Sequence, residues 1–246
     1  MNSFVAELRQ TLVPDRDGAH GPLPPLLLAM TVVTGLVDSF SYLVLGHVFV
    51  ANMTGNVVFL AFALVGARGF SIPASIAALG AFGLGAAVGG RVSSKLAQDR
   101  ARLMSTCTTI QTGFVAVSVV LAALSTQPVT EGFRYGLIVV LGASMGIQNA
   151  AARKVAVPDL TTTVLTMTIT GITADGPLAG GTGAHTGRRG LTVATMFAGA
   201  VVGALFIVHS LQVYPLAIAL ILVATVTTST RVLAASNPAW ARAADH

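Results

Sequence analysis

Charge is scarce in this chain. Only 9% of its 246 residues are Asp, Glu, Lys or Arg, against about 25% in soluble domains, and no water-facing surface can be built from so few. Cysteine is all but missing: the single Cys107 excludes an internal disulfide and a thiolate metal framework. Strand-like alternation is absent and 26 glycines are present, which argues against a β-barrel. No HExxH, CxxC, phosphate-binding loop, nucleophile elbow or paired-carboxylate spacing occurs. The chain is therefore expected to be no enzyme and to hold no metal or cofactor. Residues 1–22 lack the basic start and short apolar core of a cleavable signal. They read as a polar cytoplasmic lead without expected structure, and the tail 231–246 reads similarly.

What is present is apolar. Hydrophobic residues make up 54% of the chain and the mean hydropathy is +0.79. Eight apolar segments can be drawn, at 23–45, 51–67, 72–92, 104–124, 133–152, 160–177, 191–210 and 212–230. Several reach the roughly 20 residues that a bilayer crossing needs. The second and sixth are the shortest and the most polar. The expected fold is all-α, a polytopic transmembrane bundle occupying 23–230, with the lipid bilayer as its first partner.

An internal repeat is expected, with halves near 23–124 and 133–230. Gly85-Ala86-Ala87-Val88-Gly89 recurs as Gly199-Ala200-Val201-Val202-Gly203. Thr54-Gly55 matches either Thr170-Gly171 or, in a gapless register from Gly35 and Gly142, Thr161-Thr162; both registers stay open. The glycine pairs suit close helix packing within one chain or between copies, so a homo-oligomer is one expectation.

The formal net charge of +5 does not point to nucleic acid, because the cations lie between apolar segments. If all eight segments cross, the 14 Lys and Arg residues split eight against six. If the second and sixth segments re-enter instead, Arg9, Arg16, Arg91, Lys95, Arg100, Arg102, Arg153, Lys154, Arg188, Arg189, Arg231 and Arg242 share one side. Only Arg68 and Arg134 then face the other. The bias of Lys and Arg toward the cytoplasm favours six crossings plus two re-entrant segments, with both termini cytoplasmic.

Asp38 is the one acid well inside a span, and intramembrane acids usually face a bundle interior or a water-filled cavity. It is read as a proton or cation site; in the structural alternative it pairs with a buried Arg or accepts bonds from the hydroxyls of Ser39, Ser41 or Tyr42. Asn52, Thr54 and Asn56 follow a turn-like Gly46-His47, and Thr54 and Asn56 suit the N-cap of a returning half-helix. The best available partners of Asp38 in the other half are Gln148, Asn149 and Arg153, although Arg153 and Lys154 read as interfacial anchors. Thr163, Thr166, Thr170 and Thr173 share one helical face. Such a stripe lines a path or simply packs helices. Gly85, Gly89, Gly199 and Gly203 are assigned to packing alone.

The stretches Gly35-Leu36-Val37-Asp38, Ser41-Tyr42-Leu43 and Gly46-His47-Val48-Phe49-Val50-Ala51-Asn52-Met53-Thr54-Gly55-Asn56 resemble the first block of the YoaK family of bacterial membrane proteins, domain of unknown function 1275. Gly146-Ile147-Gln148-Asn149-Ala150-Ala151-Ala152-Arg153 and Thr168-Ile169-Thr170-Gly171 are similar to its second block. The resemblance implies an inner-membrane protein of about six spans and carries no established activity. It also implies an acid in the fourth segment, where this chain has Gln111. The leading expectation is a small-solute transporter or channel of the bacterial plasma membrane, taking a small molecule or ion. The alternative is a non-transporting scaffold or accessory subunit.

Overall fold

The computed structural model describes residues 2–13, 18–126, 128–163, 165–176, 179–181, 185–235 and 239–241. Arg16 and Arg242, which the charge pattern assigned to the cytoplasm, lie outside them. Among the described residues there are nine α-helices and no strand. They are α1 (Asn2–Leu12), α2 (Leu23–Val44), α3 (Met53–Leu64), α4 (Ile72–Lys95), α5 (Arg100–Leu124), α6 (Glu131–Val155), α7 (Leu165–Ala174), α8 (Thr186–Val208) and α9 (Tyr214–Ala235). Six of these are long and apolar enough to cross a membrane: α2, α4, α5, α6, α8 and α9. At 1.5 Å per residue, the 12 residues of α3 and the 10 of α7 reach only about 18 and 15 Å, short of a hydrocarbon core of about 30 Å.

Local chemistry sets several boundaries. Pro24 and Pro25 open α2 where their missing N–H groups cost nothing. Ser71 and Asp99 cap α4 and α5 by accepting from Ala74 N (3.4 Å) and Arg102 N (2.9 Å). The polar lead is not structureless: α1 packs on α8, and its Glu7 accepts from His185 N (3.3 Å) and Gly187 N (3.0 Å) at the start of that helix. A carboxylate at a helix N-terminus satisfies groups that have no partner within the helix. The tail is partly ordered too, since Trp240 is buried against Gly21.

α2 and α6 are mostly buried, whereas α8 turns Phe197, Leu205 and Val208 outward to lipid. α2 packs on α8 and α9, and α6 packs on α4 and α5; α5 and α9 pack on each other. The two tightest crossings are built alike. A Cβ on Gly35 would strike the Met196 carbonyl and the Ala200 nitrogen of α8, and a Cβ on Gly146 would strike the Phe82 carbonyl and the Ala86 nitrogen of α4. Reciprocally, Gly199 presses on Val32 and Gly85 on Ala143, while Gly203 meets Ser39 and Gly89 meets Ala150. All four packing glycines are thus used inside the chain, where backbone-to-backbone approach leaves no room for a side chain.

One end of the bundle gathers cations. Arg100 donates to Ala19 O (3.2 Å), Val155 O (2.6 Å) and His20 Nδ1 (3.2 Å), tying the lead to the start of α5 and the end of α6. His20 is held below its ordinary value of 6.5, first by burial and then by Arg100 and Arg188. The fold therefore binds its neutral form, so this contribution to stability is complete above pH 6.5 and declines as pH falls below it. Thermal unfolding from pH 7.5 to 5 should show that decline, and His20→Gln should flatten it. At the α4–α6 crossing, Gly146→Val should cost about 3 kcal/mol through overpacking. Gly83→Ala, where a Cβ meets nothing within 4 Å, should be neutral or stabilising in the same detergent melts.

Candidate functional site

Two stretches of non-helical backbone, 45–52 and 156–163, follow α2 and α6 and mix buried with exposed residues, and their buried polar groups must be met internally. The first follows α2. Gly46 and His47 take positive φ, 89° and 57°, and turn the chain back along the helix it has just left. Six residues below the end of α2, Asp38 Oδ1 accepts from Val50 N (3.2 Å) and Ala51 N (2.9 Å). Asn56, fully buried in the first turns of α3, accepts from Phe49 N (2.9 Å) and donates to Phe49 O through Nδ2. The Phe49 ring stacks on Tyr42 (4.9 Å) and lies where a Gly55 Cβ would sit. That fit explains Thr54-Gly55-Asn56: the glycine admits the ring and the asparagine locks the strand-like arm.

After α3 the chain comes back to where it began. His47 Nδ1 donates to Gly69 O (3.2 Å), and the rings of His47 and Phe70 lie 6.3 Å apart. The second arm repeats this plan with different chemistry. Six residues below the end of α6, Asn149 Oδ1 accepts from Thr163 Oγ1, and its Nδ2 donates to Met145 O (2.9 Å). The bases of this hairpin are joined by Arg189, which bonds Asp159 before α7 (2.8 Å) and Asp175 after it (2.7 Å). The guanidinium occupies the space a Gly171 side chain would take.

The starts of α3 and α7 meet at a cavity of about 500 Å³ lined by Asn52, Thr54, Phe59, Asn149, Thr163 and Thr166, with Phe82 of α4 and Met196 of α8 among its other walls. Among the described residues no charged side chain lines it. Asn149 and Phe82 also border a second cavity of about 750 Å³ that runs toward the cation-rich end beside Arg153 and Lys154. The two spaces adjoin at that pair.

The structure thus gathers Asn52, Thr54, Asn149, Thr163 and Thr166 around one space and places the remaining candidates elsewhere. Asn52, not Thr54 or Asn56, is the N-cap residue of α3, and no side chain caps that helix. Thr54 falls in its first turn and faces the cavity, while Asn56 is turned away to hold the arm. Asp38 stands behind the wall that Ala51 and Asn52 form. It is 5% exposed, and its Oδ2 has no hydrogen-bond partner among the described residues. Gln148 is fully buried in a separate network, donating to Thr34 Oγ1 (2.9 Å) and Met30 O (3.3 Å) and accepting from Gln111 Nε2 (2.6 Å). Thr170 is exposed and borders neither cavity; the buried threonine of α7 is Thr168. Sequence reading missed the Arg189 clamp. Its signal was the pair of acids, Asp159 and Asp175, bracketing a short apolar helix.

A family model described as "Protein of unknown function (DUF1275)" matches residues 26–229. The chain is 33% identical over 152 residues to the UPF0700 transmembrane protein YoaK of Bacillus subtilis (strain 168). That alignment covers 61% of this chain and 65% of the relative, so the chain spans just under two thirds of that relative's length. No solved structure matches.

The arm geometry makes Asp38 a structural acceptor whatever else it does. Asp38→Leu leaves the N–H groups of Val50 and Ala51 buried without a partner and should cost about 2 kcal/mol or more. Asp38→Asn keeps the Oδ1 acceptor and should melt near the wild-type temperature. A wild-type melting temperature for Asp38→Leu would show that the arm does not depend on this carboxylate.

Proposed function

The chain belongs to the DUF1275 family of proteins of unknown function, and from that premise we propose that it is a small-solute transporter or channel of the bacterial plasma membrane. One observation carries the reading: the N-terminal ends of two short helices meet at one half-open cavity to which Asn52, Thr54, Asn149, Thr163 and Thr166 bring polar groups, within a bundle of six helices long enough to cross a membrane. Short helices that stop at mid-depth, with irregular backbone lining a cavity, are how membrane transporters build solute sites.

On this reading α3 and α7 are re-entrant. Each hairpin is closed at its base, by His47 on Gly69 and by Arg189 between Asp159 and Asp175, as a segment that enters and leaves on one side requires. The packing supports an internal repeat, because exchanging the two halves exchanges the α2–α8 crossing with α4–α6 and the α2–α9 contact with α5–α6. The glycines at the crossings align Gly35 with Gly146, one turn beyond Gly142. Asp38 then corresponds to Asn149, and Asn52 to Thr163. The cation-rich end is the cytoplasmic one, and both termini lie there. Solute moves from the larger cavity past Asn149 and Phe82 to the central one. Asp38 serves as the proton- or cation-coupling group through its unpartnered oxygen, since an arm that it holds forms the cavity wall.

A Cys107→Ser background carrying single cysteines at the exposed positions Arg68, Glu131, Lys95 and Lys154 tests the arrangement. A membrane-impermeant thiol reagent on intact cells should label 68 and 131 and spare 95 and 154. The reverse pattern would mean eight crossings and would remove the basis for a midplane site. In proteoliposomes, Asp38→Asn should abolish the pH dependence of flux while leaving the melting temperature intact. A pH dependence that survives the substitution sinks the coupling role.

A further inference from the structure

The larger cavity holds polar groups that neither the fold nor the hairpins use. Arg153 and Lys154, at the end of α6, are its only charged lining residues among the described residues. Neither forms an ion pair among the described residues. Ser93 of α4 lies on the same wall, 5% exposed, with an Oγ that has no hydrogen-bond partner. Ser94 is already spent on Arg91 O (2.9 Å). A buried hydroxyl without a partner is uncommon in folded proteins and calls for a specific explanation. Among the described residues no acid lines either cavity. Asp159, the acid on the adjoining loop, is bound to Arg189. Further in, the central cavity begins at the first turn of α3, whose N–H groups no side chain caps. Helix N-termini favour negative charge.

We propose that the cavity bordered by Ser93, Asn149, Arg153 and Lys154 is the entry site for a small oxyanion, a carboxylate or phosphate, and that such an anion is the transported solute. The proposal rests on the transporter reading for its second half only. Arg153 and Lys154 concentrate the anion at the mouth. The Ser93 hydroxyl donates to one of its oxygens, the Asn149–Phe82 junction admits it, and the uncapped turn of α3 receives it in the central cavity. An anion needs both cations and hydrogen-bond donors, and this wall supplies them without a competing carboxylate.

The test uses the full chain in phosphatidylcholine nanodiscs at constant ionic strength. Inorganic phosphate or succinate should raise the melting temperature with dose, as ligands of the native state do, whereas glycerol and choline should not. The pair Arg153→Gln and Lys154→Gln should weaken the apparent anion affinity about tenfold, and Ser93→Ala about threefold. Lys95→Gln, which borders neither cavity, should leave it unchanged. Equal stabilisation by choline or glycerol would overturn the proposal, as would an anion affinity that the paired substitution does not move. Stabilisation by phosphatidylglycerol nanodiscs with none from soluble anions would also overturn it, because the groove would then be a lipid headgroup site. If the paired variant fails to fold, Ser93→Ala decides. Uptake by proteoliposomes separates the two readings. Anion binding without uptake of any solute keeps the site and rejects transport; uptake of glycerol or choline that ignores Arg153 and Lys154 keeps transport and rejects the anion.

Discussion

Everything in the centre of this protein depends on satisfying backbone that is not helical. Two arms of about eight residues each are partly buried against an apolar bundle, where an unmet N–H or C=O costs several kcal/mol. In the first arm the chain meets that demand with side chains on the two helices that flank it, α2 and α3. Asp38 and Asn56 take backbone donors of the first arm, and Asn149 ties down the second through the Thr163 hydroxyl. With the arms fixed in this way, α3 and α7 can begin in the interior, and a polar space opens where their ends meet. The cavity is a product of those bonds and not of the helices alone.

The two hairpins solve one problem with different groups. The first is clamped by rings: Tyr42, Phe49, Phe59 and Phe70 stack in series with centroids 4.9 to 5.7 Å apart, and His47 closes the base through a backbone carbonyl. The second is clamped by charge, with Arg189 shared between Asp159 and Asp175. Aromatic stacking works in an apolar setting and needs no desolvation of ions. An ion cluster suits the end of the bundle where other cations already meet water. In the proposed repeat Asp38 corresponds to Asn149, which carries the same contrast further. One member of the pair can exchange a proton and the other cannot, which gives the proposed halves unequal chemistry on a similar scaffold.

Close packing around the arms is bought with glycine. Gly35, Gly85, Gly146 and Gly199 bring backbones together at the α2–α8 and α4–α6 crossings. Lipid offers apolar side chains no less than a protein core does, so helix association in a membrane leans on such contacts. The buried Gln111–Gln148–Thr34 set adds a second, polar tie between α5, α6 and α2. Gln148 is therefore a fastener, although its neighbour Asn149 reaches the cavity one position along the same helix.

Composition and hydropathy by themselves determined the all-helical membrane class and the shortness of the second and sixth segments, and the placing of Lys and Arg favoured six crossings, because segment length and charge are one-dimensional properties of the chain. They also singled out Asp38, Asn52, Thr54 and Asn149, since polar groups in an apolar stretch stand out wherever they fold. Their roles were not legible. Whether an amide faces a cavity, as Asn149 does, or bonds a backbone, as Asn56 does, depends on which arm packs beside it, and that contact spans helices. The order of α1 was equally hidden, because Glu7 finds its partners at His185 and Gly187, across most of the sequence. Only the tertiary structure decided these, because hydrogen-bond satisfaction in an apolar interior is settled between segments and not within them.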